Sequence, residues 1–173
     1  AVLSTLDLDK LLDLVTRQIL DAGIFRSLTV SLVDREMKRL MVVRDLFRSP
    51  RRGEIRPGRS GRHAPVRYIP MDAKDVMAET ARTGQMIVVD GWDDRFDATL
   101  SKSEQHRGQV AYFVPVKNDD RVLAVLATGS TVAEKEDVLR RFEVMKPLLN
   151  QMAIALEHAR LYSDLERREN ELS

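Results

Sequence analysis

The chain has 173 residues, enough for one domain with a core of its own, and its formal net charge of +1 gives no global field that would direct it to nucleic acid or an anionic membrane. It contains no cysteine, which excludes disulfides, thiolate nucleophiles and cysteine-based zinc sites and suits a cytoplasmic protein. No apolar run approaches the roughly 20 residues that cross a bilayer, no signal peptide is visible, and the start at Ala1 without an initiator Met suggests a piece of a longer protein.

An amphipathic helix followed by a β-hairpin is predicted for the first part of the chain. The helix spans residues 7–23, because apolar side chains recur there at helical spacing: Leu8, Leu12, Val15 and Ile19. Residues 28–33 and 40–43 are two apolar-rich runs that flank a charged segment, which is the pattern of two paired strands.

Residues 47–69 show no periodicity and are rich in Pro and Gly, so we expect a long loop there. A short helix over residues 73–83 follows, capped by Asp72 and stopped by Gly84. The apolar run 86–89 then predicts a short strand. The segment from 90 to 107 is polar and irregular.

The apolar runs 110–116 and 122–128, separated by a short polar segment, predict a second hairpin. Both faces of its strands are apolar: one carries Val110, Tyr112, Val114 and Val116, the other Ala111, Phe113 and Pro115. A strand that is apolar on both faces is covered on both faces, so this hairpin is expected in the middle of a sheet. Pro115 cannot donate to a ladder and predicts an irregularity nearby.

A long amphipathic helix closes the chain, with one apolar stripe that we expect to pack on the sheet: Val138, Phe142, Met145, Leu149, Met152 and Leu156. Pro147 predicts a kink, or a break into two helices. A second stripe with heptad spacing lies on another helix face and is the expected interface of a parallel homodimer: Ile154, His158, Leu161, Leu165 and Leu172, together with Arg168. Residues 1–158 would form the domain, and 159–173 the start of a C-terminal signalling helix.

Four segments of the sequence, in order, resemble the GAF domain family: MIVVDGWDDRF from residue 86, GQVAYFVPV from 108, RVLAVLATGS from 121 and AIALEHARLYSDLERR from 153. The resemblance implies an α+β fold with a central antiparallel sheet of five or six strands. The N- and C-terminal helices would pack on one face of the sheet. Loops and short helices would roof a pocket on the other face, with 47–69 and 90–107 as the roof.

The resemblance further implies a regulatory or sensory domain of a cytoplasmic signal-transduction protein. Such a domain binds a small molecule, relays a signal through a dimeric C-terminal helix to an output domain, or does both. The alternative is a dimerisation module of a sensor kinase, cyclase or transcription regulator whose pocket is filled by its own side chains. An enzyme is the least favoured class, because the sequence holds no catalytic constellation.

Ligand-binding candidates come from the expected roof and from the central strand. Trp92, Phe96 and Arg107 lie in the roof, and Tyr112 is core or pocket wall depending on its face. Eight arginines and two acidic residues lie between positions 44 and 67, which makes a small anionic ligand possible. Arg44, at a strand end, is the arginine we favour. The alternative is that these arginines pair with the acidic segment 90–97, or with nothing.

Other ligand classes lack their residues in this chain. The cyclic-nucleotide-binding members of the family carry an Asn-Lys signature that occurs nowhere here, and bilin-binding and sulfoxide-reducing members use cysteines. The three histidines, at 63, 106 and 158, have no metal-ligand spacing, so no metal site is expected and no cofactor is identified. Neither nucleic acid nor a membrane is an expected partner.

Overall fold

The computed structural model describes residues 5–21, 27–48, 55–57, 67–96 and 107–172. The helices are α1 (Thr5–Asp21), α2 (Val76–Thr83) and α3 (Lys135–Leu172), with a short 3₁₀ turn, Val132–Glu134, leading into α3. The strands are β1 (Ser27–Asp34), β2 (Arg39–Arg48), β3 (Ile55–Pro57), β4 (Arg67–Pro70), β5 (Ile87–Asp90), β6 (Gln109–Asn118) and β7 (Arg121–Thr131).

Among the described residues, seven antiparallel strands form one sheet that is six strands wide, in the order β3-β2-β1-β7-β6-β5. The sheet is six wide because β3 and β4 share the outer edge of β2. This confirms the predicted α+β fold and the predicted width. The hairpin of β6 and β7 lies inside the sheet, as the apolar character of both its faces predicts.

The expectation of an unstructured loop over 47–69 is wrong in part. Strand β2 continues to Arg48, β3 pairs with its last residues, and β4 pairs with its first residues. Both added strands are short, and they satisfy the backbone groups of an edge that would otherwise be open. Residues 49–54 and 58–66, with the rest of the expected roof at 97–106, lie outside the described residues.

Helices α1 and α3 cover one face of the sheet, which we call the helix-covered face. Its core takes Leu12, Val15 and Ile19 from α1 and the α3 stripe Val138, Phe142, Leu149, Met152 and Leu156. Val110, Tyr112, Val114 and Val116 of β6 point into this core, as their alternation predicts. The opposite face carries α2 and a second core built on Phe113, Val125 and Val89.

Two β-bulges interrupt the alternation of side chains along the sheet. In β2, Val30 pairs with Arg44 and Ser31 with Val42, so Val43 is the extra residue. In β7, Val116 pairs with Ala124 and Lys117 with Val122, so Leu123 is extra. A bulge places two successive residues on one face. The second bulge is the irregularity expected near Pro115, displaced to the next residue pair.

Helix α2 begins later than predicted. Its N-cap is Asp75, not Asp72: Asp75 Oδ1 accepts hydrogen bonds from the backbone N–H groups of Met77 at 2.8 Å and Ala78 at 3.2 Å. Asp75 has the extended backbone that an N-cap requires. The predicted stop at Gly84 is confirmed, since its φ of 66° is the left-handed conformation of a helix C-cap.

Helix α3 runs from Lys135 to Leu172 as one element with Pro147 inside it. The predicted break into two helices therefore does not occur. Pro147 lies on the exposed side of the helix. At such a position the missing N–H costs one intrahelical bond, while water satisfies the freed carbonyl of Glu143. No helix of the described part of the chain combines the length and the apolar character needed to cross a bilayer.

Candidate functional site

A cavity of about 640 Å³ lies on the face of the sheet opposite α1 and α3. Its floor is formed by Ala111 and Phe113 of β6, Ala127 of β7 and Thr29 of β1. Its walls come from β4, from the start of α2 and from Arg95 and Phe96 after β5: Arg67, Tyr68, Ile69, Pro70, Ala73, Lys74, Asp75, Val76, Met77, Arg95 and Phe96. This volume falls within the range of about 300–1,000 Å³ that is usual for small-molecule sites.

The sequence explains why a cavity lies over this part of the sheet. Ala127 lies directly across from both Phe113 and Thr29 in the register, and Ala111 follows on the same face of β6. Three small side chains, Thr29, Ala111 and Ala127, thus lie close together on one face in the middle of the sheet. Because Phe113 is the one large group among them, the space over the alanines stays open to a ligand.

Arg95 on the cavity wall is already held by two carboxylates. It makes a bidentate pair with Asp93, with both contacts at 2.8 Å, and it also pairs with Glu79 of α2. The hydrogen bond from Arg95 is the main cause that lowers the pKa of Asp93 to about 2, and the two carboxylates raise the pKa of Arg95. This pairing fixes the segment after β5 against α2, and it leaves Arg95 little capacity for a ligand.

Arg67 on the opposite wall has no such partner. Its Nε is buried and makes no hydrogen bond to any residue that the structure describes. Arg67 alternates with the exposed Tyr68 along β4, so it shares its face with Ile69, which packs on the core beneath α2. Buried polar atoms are hydrogen-bonded in the great majority of cases, so the unpaired Nε of Arg67 beside the cavity makes this residue a candidate for ligand binding.

The structure brings one predicted ligand residue to the cavity and a second next to it. Phe96 lines the cavity and packs on Phe113, with ring centroids 6.2 Å apart. Trp92 stands behind Phe96 in an edge-to-face contact with centroids 5.5 Å apart. Arg107 is exposed in the turn before β6 and does not line the cavity.

Tyr112 and Arg44 both lie on the helix-covered face, away from the cavity. Tyr112 is fully buried, its hydroxyl is 2.8 Å from Ser130 Oγ, and its ring packs on Phe142 of α3. Of its two predicted roles, core is the one that the structure has. Arg44 pairs with Asp9 and, at 2.9 Å, with Asp13 of α1. It reaches α1 because the bulge at Val43 turns it to that face.

The arginines do not pair with the acidic segment 90–97 as far as the described residues show. Asp90 lies 3.1 Å from Lys135 Nζ at the start of α3, and Asp93 binds Arg95 within its own segment. Within the described chain, no group of three or more His, Asp or Glu side chains could hold a metal ion.

The second stripe of α3 is exposed, as its heptad phase predicts. Ile154 is 51% exposed, Leu161 53%, Leu165 55% and Leu172 89%, and His158 is exposed between them. Val144, at 74% exposure, lies upstream in the same heptad phase. These positions form an apolar seam along the outer side of α3 that is interrupted in the same phase by Pro147, Gln151 and Arg168, and we refer to it as the α3 seam.

Arg67, Ala111 and Ala127 were not predicted as site residues. A signal for the alanines was present: each of two strands that are otherwise rich in Val and Leu carries one alanine on the face that also bears Phe113. The signal for Arg67 was its position two residues before Ile69 in the run Arg-Tyr-Ile-Pro, because in a strand the two side chains lie on the same face. The prediction of a loop over 47–69 concealed this signal, because side chains are assigned to faces only in a regular strand or helix.

A family model described as "GAF domain" matches residues 5–157. No curated protein matches the chain at a significant level. Among solved structures, the GAF domain of a phosphoenolpyruvate-protein phosphotransferase from Coxiella burnetii superposes with a TM-score of 0.62 at 12% identity, covering 91% of this chain and 86% of that one.

Two further solved structures show the same fold. A fragment of a methyl-accepting chemotaxis protein superposes with a TM-score of 0.61 at 14% identity, covering 91% of each chain. The second GAF domain of DevS from Mycobacterium smegmatis superposes with a TM-score of 0.53 at 17% identity, covering 90% of this chain and 94% of that one. At such identities the likeness concerns the fold alone.

Proposed function

Because this chain belongs to the GAF domain family, we propose that it is the regulatory domain of a cytoplasmic signal-transduction protein, binding a small molecule in the cavity and relaying that event through α3. The domain acts by regulation and not by catalysis. The observation that carries the proposal is the cavity of about 640 Å³ over the central hairpin. A site of this size in the middle of a sheet, with an apolar floor and few charged groups, is typical of ligand binding.

The hairpin connects the cavity to α3 over a very short distance. Phe113 lines the cavity, while its neighbour Tyr112 points to the other face and packs on Phe142, with ring centroids 5.6 Å apart. A ligand that displaces Phe113 would shift the backbone it shares with Tyr112, and α3 rests on that residue. Since packed cores change between discrete arrangements, a small shift at the floor can move the helix.

The partner proposed for α3 is a second copy of this chain, in a parallel homodimer. The support is the α3 seam, which repeats apolar residues at heptad spacing and is not covered by the described part of its own domain. His158 and Arg168 on the same seam would weaken the pairing of the isolated domain. A weak interface suits a relay, because a modest ligand free energy can then change its geometry.

Native mass spectrometry of the purified domain tests both halves of the proposal in one measurement. We expect a dimer mass and a retained small-molecule mass. In Ala127→Leu, which fills the floor of the cavity, the retained mass should disappear while the dimer persists. Ala155→Leu, at a partly exposed position of α3, gives the same side-chain change away from the cavity and should keep the small molecule.

A dimer without any retained mass calls for a titration. Anionic metabolites and nucleotides would be added while the fluorescence of Trp92 and the melting temperature are followed. If none of them binds, the domain is a dimerisation module without a ligand, which is the alternative function. A monomer with a retained ligand would instead support ligand binding and contradict the relay through a dimeric α3.

A further inference from the structure

The charged side chains around the cavity are not equally available to a ligand. The cavity wall carries Arg67, Lys74, Asp75 and Arg95. Asp75 uses its Oδ1 to cap α2, and Arg95 is paired with Asp93 and Glu79. Lys74 is exposed at the rim. What remains is one inward guanidinium, Arg67, whose Nε is buried and has no partner in the described structure.

The other walls are mostly apolar, and they lie within reach of the same ligand. Ala111, Phe113 and Ala127 form the floor together with Thr29, and Ile69 of β4 and Met77 of α2 line the walls. Asp45 accepts a hydrogen bond from Thr29 at 3.4 Å but does not line the cavity. The cavity thus combines a large apolar surface with one inward guanidinium, Arg67, whose Nε has no partner among the described residues.

We propose that the ligand is a small amphipathic carboxylate, with its carboxylate on Arg67 and its apolar body over Ala111, Phe113 and Ala127. This inference rests on the proposed function of the same cavity. A guanidinium presents parallel N–H donors that match a carboxylate, and the pair is strongest where water is excluded. A single negative charge balances Arg67, whereas a cation would face Arg67 and Lys74 and is disfavoured.

Three probes that share one ring and differ in one group test this proposal: cyclohexanecarboxylate, cyclohexylmethanol and cyclohexylmethylamine. Their dissociation constants for the domain would be measured by calorimetry and by the fluorescence of Trp92. We expect the carboxylate to bind at least about tenfold more tightly than the alcohol, the difference that a charged hydrogen bond typically makes. The amine should bind least.

Arg67→Gln should bring the carboxylate to within about threefold of the alcohol, because the charge-assisted bonds are lost while the apolar contacts remain. Arg67→Lys keeps the positive charge but lacks the parallel N–H donors of the guanidinium. Its preference for the carboxylate should lie between those of the wild type and Arg67→Gln, so it replaces Arg67→Gln if that variant fails to fold. Arg141→Gln is the matched control, since Arg141 is exposed on α3, and it should behave as wild type.

The outcomes separate this inference from the function on which it rests. Equal binding of the carboxylate and the alcohol would show that the ligand need not be an anion. If the preference for the carboxylate survived in Arg67→Gln, Arg67 would not be the residue that binds it. Either result leaves a ligand-binding cavity in place. If none of the three probes binds, the carboxylate assignment fails. The proposed function fails with it only if native mass spectrometry also shows no retained mass.

Discussion

Arg121, the first residue of β7, donates a hydrogen bond of 2.9 Å to the carboxylate of Glu157 on α3. The carboxylate is largely buried, with 14% of the side chain exposed, and its second oxygen has no partner among the described residues. Arg35 lines the same surface depression as Arg121 and Glu157, and Arg160 lies near Arg35. Burial, together with the charges of Arg121 and Arg160, lowers the pKa of Arg35, and Glu157 opposes that shift. Glu157 thus binds Arg121 and offsets the charge around Arg35 where the central hairpin meets α3.

Replacing Glu157 with Gln should therefore destabilise the domain by about 1–2 kcal/mol, because Arg121 loses its charged acceptor and Arg35 loses a nearby opposite charge. The free energy of unfolding in urea measures the loss. Glu171→Gln is the control, since Glu171 lies on the exposed end of α3, and its effect should stay below about 0.5 kcal/mol. Equal effects of the two changes would show that this cluster does not fix α3 to the hairpin.

Leu126 is the best test of the central hairpin as the core. It is 2% exposed and pairs with Val114 on one side and Val30 on the other. Leu126→Ala should cost about 2–5 kcal/mol, the range for removing a large buried side chain. Leu172→Ala, at 89% exposure, should change the free energy of unfolding little. A loss below about 1 kcal/mol at Leu126 would contradict its burial.

The proposed dimer predicts a separation between assembly and folding. Leu161→Glu combined with Leu165→Glu should give monomers in sedimentation velocity and leave the urea midpoint of the isolated domain almost unchanged, because both residues are more than half exposed. Leu14→Glu is the informative comparison, since Leu14 is 56% exposed on α1. If only Leu14→Glu dissociates the dimer, the interface lies on the N-terminal helix.

The pair of Asp93 and Arg95 predicts a pH dependence. In the folded state the hydrogen bond from Arg95 lowers the pKa of Asp93 to about 2, below its usual value of 3.8. The folded state then binds this proton less readily than the unfolded state. The stabilisation is therefore complete above about pH 4 and is lost as the pH falls toward 2.

Because the pair lies near the surface, Asp93→Asn should cost roughly 1 kcal/mol at neutral pH, and this cost should shrink as the pH falls through about 2. Thermal melts of the wild type and of Asp93→Asn across this range provide the measurement. Asp94→Asn, at the exposed next position, is the control. A difference between wild type and Asp93→Asn that does not shrink on acidification would rule out this pair as its source.

Arg67 gives a prediction that concerns stability without ligand. A buried guanidinium nitrogen without a partner costs free energy, so Arg67→Met should stabilise the ligand-free domain by about 1 kcal/mol. The same change should remove the stabilisation by a carboxylate. Arg44→Met should instead destabilise, because Arg44 is paired with Asp9 and Asp13. Urea unfolding of the two variants should therefore give effects of opposite sign.

Alternation in the sequence predicts which residues share a face of the central hairpin, and the structure confirms that grouping for Val110 to Val116. It does not predict which group meets the helices, because both groups are apolar. For this reason the sequence could not decide whether Tyr112 belongs to the core or to the pocket wall. The family resemblance supplied the arrangement of the layers, but not the face of any single residue.

The site itself was the part that sequence could not predict. Arg44 was favoured for its place at a strand end, and a single extra residue, Val43, turns it to α1. Arg67 was hidden because β4 is four residues long and its pairing partner lies some 25 positions earlier. A strand as short as β4, paired with a distant part of the chain, shows almost no periodicity of its own. The apolar stripe of the 17-residue helix α1 and the heptads of α3 are long enough to be recognised in the sequence.

The bulges at Val43 and Leu123 make the sheet tolerant of the loss of one residue at two interior positions. Val43 and Arg44 both face α1, whereas Val42, paired with Ser31, faces the side of α2. If Val43 were deleted, Val42 and Arg44 would alternate regularly and keep their partners Ser31 and Val30, so both ends of β2 would keep their faces. Strand β1 has no extra residue, so the same loss from its middle would turn one of its ends to the opposite face. At Val43 and Leu123 a shorter chain would therefore still fit the sheet.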